Sequence, residues 1–160
     1  MNKLTDFIHH EHNTLRPHVE LIRIAADAVG EVPLPILRDL TNTVLAFLVR
    51  ELIPHSREES EILYRTVEQA TQSPGSTATM TREHLEVSKL ADQLGDLHAL
   101  TVAEAELSSR TIRDLRRVLY GLHALVKLHF LKEEEIYVDV LEHRLSPVEK
   151  DVLVAALSRH

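Results

Sequence analysis

From Leu115 onward the apolar side chains recur in alternating steps of four and three: Leu115, Leu119, Leu122, Val126, then His129, Glu133, Ile136 and Val140. That rhythm is the buried stripe of a long α-helix, and nothing else with regular backbone sustains it. Two positions of the stripe hold a histidine and a glutamate. Three further stripes behave alike. One reads Ile8, His12, Leu15, Val19, Ile22, Ala26; a second Val44, Leu48, Leu52, His55, Glu59, Ile62; a third His84, Val87, Ala91, Leu94. Each stripe puts at least one imidazole where a core helix should put carbon. A carboxylate in an apolar interior is costly unless something cationic compensates it. Histidine nitrogens and glutamate oxygens facing a metal ion do so.

The breaks between stripes are short. Proline and glycine cluster at Gly30-Glu31-Val32-Pro33-Leu34-Pro35 and at Gln72-Ser73-Pro74-Gly75-Ser76. These divide the chain into helices over about 4–29, 36–70, 79–105 and 110–144; polar Ser108-Ser109 alone marks the third break. Ser146-Pro147-Val148-Glu149 opens a short fifth helix over about 147–158, with serine as cap, proline in the first turn and glutamate at the third position. Its Val152, Leu153, Ala156 and Leu157 suit either a cover on the bundle or contact with another chain. Pro17 and Pro54 fall inside helices and predict a kink or bulge in each. The fold expected is all-α: an antiparallel up-down-up-down four-helix bundle with a short C-terminal fifth helix. One domain is expected across residues 1–160, with the bundle at about 4–144.

In such a bundle the starts of the first and third helices meet the ends of the second and fourth. His12 and His84 lie in early turns; His55 and His129 lie about four turns before the ends. All four therefore reach one end of the core. His98 lies on the third stripe but fourteen residues past His84, roughly 21 Å along the axis, and is excluded. His10, His18, His123 and His143 fall off the stripes and read as surface or rim groups. His9, one turn from His12, is a candidate to support the site from outside it. His160 is terminal and isolated.

The halves repeat. A shift of 74 residues carries His55 onto His129 and Glu59 onto Glu133, together with Val44 onto Val118, Leu45 onto Leu119, Leu48 onto Leu122, Glu61 onto Glu135 and Ile62 onto Ile136; a shift of 72 carries His12 onto His84. His-x-x-x-Glu occurs only at 55/59 and 129/133. Each half is a helical hairpin with one lone histidine and one His-x-x-x-Glu pair. Two such half-sites about a pseudo-twofold axis can build a two-metal centre.

Glu11-His12, His55-x-x-x-Glu59, Glu83-His84 and His129-Phe130-Leu131-Lys132-Glu133-Glu134, in their order and spacing, resemble the hemerythrin-like family of His-His-Glu cation-binding domains, over roughly residues 3–144. The resemblance implies a non-haem di-iron centre, with His12, His55, His84 and His129 as terminal ligands and Glu59 and Glu133 as bridging carboxylates. Oxygen-carrying members have a second histidine four residues after the one in the third helix, where this chain has Ser88. They also place the last carboxylate five residues after its histidine. Glu133 and Glu134 are both available here, and the stripe and the repeat favour Glu133. The resemblance therefore points from reversible oxygen carriers toward members linked to iron or oxygen sensing and to peroxide or nitric oxide chemistry.

Imidazole with carboxylate suits iron, manganese or zinc. Two bridging carboxylates and no thiolate favour a di-iron or di-manganese site over structural zinc, and the resemblance implies iron, with manganese or zinc behind it. Ferritin-like di-iron bundles use Glu-x-x-His, which this chain lacks throughout. Tyr137, one turn beyond Glu133, suits a core cap better than a hydrogen-bond donor to a bound oxygen species. The expected ligand is a small diatomic molecule or peroxide. The function classes are a sensing or binding module, a di-iron enzyme handling peroxide or nitric oxide, and a metal-poor helical interaction domain.

Bulk properties remove other classes. The formal charge of −7 argues against nucleic acid as partner. The absence of cysteine excludes disulfides and thiolate sites and fits a reducing compartment. The start, Met1-Asn2-Lys3-Leu4, has no apolar signal core, and no apolar run approaches a membrane span. The expectation is a cytoplasmic protein, a monomer or weak homodimer, with an unidentified redox or signalling partner.

Overall fold

In the computed structural model, residues 3–159 are described, and among them there is no strand. His160 lies outside them. Helix α1 spans Lys3–Ala28. Helix α2 runs over 34–71, α3 spans Ala78–Ala103, α4 runs over 109–144 and α5 spans Pro147–Leu157. The first four form the expected antiparallel bundle, with α1 packed on α2 and α4, and α3 on α2 and α4.

The ends follow local chemistry. Gly30, at φ 80°, turns the chain out of α1 in the left-handed region that glycine enters without Cβ strain. Ser108 caps α4 by accepting a hydrogen bond from the Thr111 amide. Ser146 and Glu149 close a reciprocal capping box on α5, as the motif predicts. The sequence leaves α5 two possible roles; it covers the bundle. Leu153 and Leu157 enter an apolar layer with Leu4, Ile8, Leu63, Tyr64, Val67, Met80, Val138 and Leu141. A larger apolar layer fills the rest of the core, from Leu15 and Val19 through Leu48 and Leu52 to Leu119, Leu122 and Phe130. The stripe histidines and glutamates lie between the two.

Two helices depart from regular α geometry. In α2 the turns Leu48–Leu52 and Glu59–Leu63 are π-helical, and in α4 the turn Glu133–Tyr137 is π-helical. The first precedes Pro54, whose missing N–H cannot close the usual bond to the fourth residue back. The expected bulge is therefore present there. At Pro17 no such turn appears, and α1 runs on as α-helix. The turns at 59–63 and 133–137 are 74 residues apart, so the repeat extends to the backbone.

These turns correct the stripes. A π turn adds a residue, so the inward face after each glutamate advances by four or five positions instead of three. Ile136, expected in the core, is half exposed, and Ile62 and Val140 are only partly buried. Leu63, Tyr64, Val138 and Leu141 take the buried places.

Candidate metal centre

The π turns lie beside the glutamates that matter. Glu59 and Glu133 each open one, and both carboxylates are buried in the centre of the bundle. His12 from α1, His84 from α3 and His129 from α4 are buried with them; the His55 side chain, from α2, is 13% exposed and the most open of the six. All six predicted residues converge.

Each carboxylate faces both halves of the repeat. Glu59 turns Oε1 to His55 Nε2 at 2.8 Å and His12 Nε2 at 3.5 Å, and Oε2 to His84 Nε2 at 3.5 Å. Glu133 turns Oε2 to His12 Nε2 at 3.3 Å and Oε1 to His129 Nε2 at 3.4 Å. Two donor groups result, each compact enough for one ion: His12, His55 and Glu59 in one, and Glu59, His84, His129 and Glu133 in the other. Glu59 belongs to both.

The far nitrogens of three imidazoles are tied down. His12 Nδ1 lies 2.8 Å from Glu134, whose same oxygen takes Arg16 at 2.6 Å. His129 Nδ1 lies 2.8 Å from Glu83, which also pairs with Lys132. His84 Nδ1 lies 2.8 Å from Ser60 Oγ, and that hydroxyl donates to the Ser56 carbonyl. A carboxylate, or a hydroxyl already donating elsewhere, only accepts. Each Nδ1 therefore carries a proton, so Nε2 is the nitrogen that can give a lone pair inward to a metal once its own proton is displaced. Glu134 is thus a support for His12, while Glu133 is the central carboxylate.

The chemistry of the inward atoms tests the fit to a metal. His12 Nε2, His55 Nε2, both oxygens of Glu59 and Glu133 Oε2 are buried and meet only one another and His84, at 2.8–3.5 Å. Nitrogen and carboxylate donors gathered at one buried point with no other partner fit a metal cation. The remaining inward atoms meet a group that the stripes do not predict. Tyr64 Oη lies 3.1 Å from His84 Nε2, 3.1 Å from His129 Nε2, and donates to Glu133 Oε1.

The electrostatics agree. Burial by itself disfavours an imidazolium at His12, but the carboxylates of Glu133 and Glu59 outweigh it and raise the pKa to about 10. His55 and His129 are raised for the same balance of reasons. Burial pushes Glu59 up, yet His55, His12 and His84 hold it well below the usual carboxylate range. Burial and the charges of Glu133 and Glu59 push the Tyr64 phenol far up. Without a metal, this cluster holds positive charge as protons.

The hemerythrin HHE cation binding domain, as a family model, matches residues 3–137. The chain belongs to this family. No curated protein and no solved structure matches it. Family membership and the buried cluster together support a bound metal ion. As a member of the hemerythrin family, the chain departs from the oxygen-carrying pattern at Ser88, and the structure shows what that residue does instead. Its hydroxyl donates to the His84 carbonyl at 3.1 Å and brings no donor to the centre.

The other sequence candidates resolve as follows. His9 and His10 are exposed. His98 pairs with Thr41, His123 with Glu20, His143 with the Asp139 carbonyl, and His18 stacks on Phe47. Tyr137 directs its hydroxyl to the Ser76 carbonyl and its ring edge to Tyr64, as a cap. Tyr64 was concealed because it stands five residues after Glu59, a place that only the π turn brings inward. The available signal was that residue five after each glutamate is large and apolar in both halves, Tyr64 and Val138; Ile62 and Ile136 offered the same signal in ordinary α register. Among the described residues, no helix is long and apolar enough to cross a membrane.

Proposed function

We propose that this protein holds two iron ions in a carboxylate-bridged, non-haem centre and uses them to bind or sense oxygen, nitric oxide or iron in the cytoplasm. His12 and His55 hold one ion, His84 and His129 the other, and Glu59 and Glu133 bridge them. One observation carries this reading: each carboxylate turns one oxygen to the histidines of one half and its other oxygen to those of the other half. Two bridging carboxylates and nitrogen donors without thiolate favour iron, or manganese, over structural zinc. When bound, such a pair supplies redox chemistry to a small ligand. The chain's own residues fix the lone pairs of three histidines, exclude bulky molecules with two apolar layers, and leave His55 as the ligand nearest solvent.

A second reading, a di-iron enzyme decomposing hydrogen peroxide or handling nitric oxide, is favoured by access. His55 lines a groove of about 410 Å³ with Glu11, Pro54, Arg57 and Glu61, which is ample for peroxide.

The test is metal analysis and optical spectroscopy of freshly purified protein beside a His55→Ala/His129→Ala variant. About two irons per chain, with near-ultraviolet absorption that the variant lacks, is the expected result. No stoichiometric transition metal after iron-supplemented expression and anaerobic reconstitution would leave a helical interaction domain. Peroxide turnover then separates the enzyme from the sensing module.

A further inference from the structure

Tyr64 breaks the repeat inside the centre. Its counterpart under the 74-residue shift is Val138, which is buried in the same apolar layer and offers no donor atom. The three atoms His84 Nε2, His129 Nε2 and Tyr64 Oη stand 2.8, 3.1 and 3.1 Å from one another. Two donors at right angles on one ion, each bonded at about 2.1 Å, lie about 3.0 Å apart. The trio therefore has the dimensions of one triangular face of an octahedron. All three atoms meet on lone-pair sides, an arrangement that only a cation or a shared proton stabilises.

The phenol has nowhere else to go. Its ring is 2% exposed, lies stacked on His84 with centroids 5.2 Å apart, and meets Tyr137 edge-on at 5.6 Å. The other half of the centre is built differently. There the inward atoms of His12, His55, Glu59 Oε1 and Glu133 Oε2 meet one another and no phenol. His55 and Glu59 also line a narrow crevice with Phe7, Ile8 and Leu157, and His55 faces the larger groove.

We infer that Tyr64 Oη is a third protein donor at the His84–His129 position. The inference rests on the two-metal reading above. When the metal takes its place, the phenol O–H bond breaks, an oxygen–metal bond forms, and one proton leaves to solvent; no electron moves. A bound cation reverses the local preference that keeps the buried phenol protonated.

The experiment uses the full chain loaded with ferric iron. Wild type is expected to show visible phenolate-to-iron absorption, with phenolate vibrations under resonance Raman excitation in that band. Tyr64→Phe is expected to keep two irons and lose the band, whereas Tyr137→Phe keeps both. Two irons without a phenolate band in wild type, or a band lost in Tyr137→Phe instead, would each overturn the inference. Should Tyr64→Phe lose iron, the wild-type and Tyr137→Phe spectra still decide. A chain that takes up no iron at all fails the proposed function; one with two irons and no phenolate band fails only this inference.

Discussion

His84 Nε2 and His129 Nε2 stand 2.8 Å apart although the opposite nitrogen of each ring is committed as a donor, to Ser60 and to Glu83. Two ring nitrogens at that distance need a cation or a shared proton between or beside them. The fold holds both rings there, where a metal ion can take the place of the proton.

Metal should therefore stabilise the fold strongly. A ligand at a thousand times its dissociation constant contributes about 4 kcal/mol. For a chain of this size each kcal/mol moves the melting temperature by roughly 2–4 °C. Loading with ferrous iron should raise the midpoint by on the order of 10 °C, and chelation should reverse it. Scanning calorimetry with and without chelator checks this; coincident midpoints would count against a resident metal.

Glu134 and Glu83 should control affinity without touching the metal. Each fixes the tautomer and orientation of a ligating ring, His12 and His129 respectively. Loss of such a partner typically costs 10–100-fold in metal affinity, by order of magnitude. Glu134→Gln and Glu83→Gln should weaken binding by about that factor with the helical content unchanged, as read by competition against a chelator of known affinity. Unaltered affinity in both would mean that the rings are held by packing alone.

The fifth helix should let go in acid. The buried Glu142 carboxylate accepts hydrogen bonds from the Thr5 amide at 3.2 Å and hydroxyl at 2.9 Å, and pairs with Lys150 of α5 at 2.5 Å. Burial raises its pKa, but Lys150 and Thr5 outweigh that and lower it below the usual carboxylate range. A carboxyl with a depressed folded-state pKa contributes fully above its unfolded value near pH 4 and loses that contribution as pH falls through the lowered one. Acidification below about pH 4 should therefore weaken α5 docking. Glu142→Gln should lose about 1–3 kcal/mol at neutral pH and flatten the acid limb of the stability curve. Denaturant melts across pH 3–7 report this; parallel acid limbs in wild type and variant would refute the assignment.

Leu153→Ala should cost about 2–5 kcal/mol, the range for emptying a closed leucine site, because Leu153 is buried in the layer that closes the centre. α5 packs against the Glu59–Leu63 turn of α2, beside the centre. Iron release to chelator should therefore speed up beyond the effect of a comparably destabilising change in the other layer, such as Leu119→Ala. Equal release rates in the two variants would show that α5 does not seal the site.

The amino-acid sequence by itself determined the bundle and the six converging residues. An apolar stripe at helical period must be buried, and a histidine or glutamate on that stripe must be buried with it. His12, His55, Glu59, His84, His129 and Glu133 were legible for that reason, and the 74-residue repeat supplied their pairing. The packed fold alone decided three further things. It selected a π-helical register after Glu59 and Glu133, where Ile62 and Tyr64, or Ile136 and Val138, compete for the inward place; which pair wins depends on the facing helices, not on local propensity. That selection delivered Tyr64 to the centre. It also chose Glu134, Glu83 and Ser60 as the partners of the histidines, contacts between residues 24 to 122 positions apart that no periodicity encodes. Finally it laid α5 over the bundle, where Leu153 and Leu157 find an apolar layer already formed. Periodicity reports which side of a helix faces inward; the atoms that meet there are set by how the helices are rotated against one another.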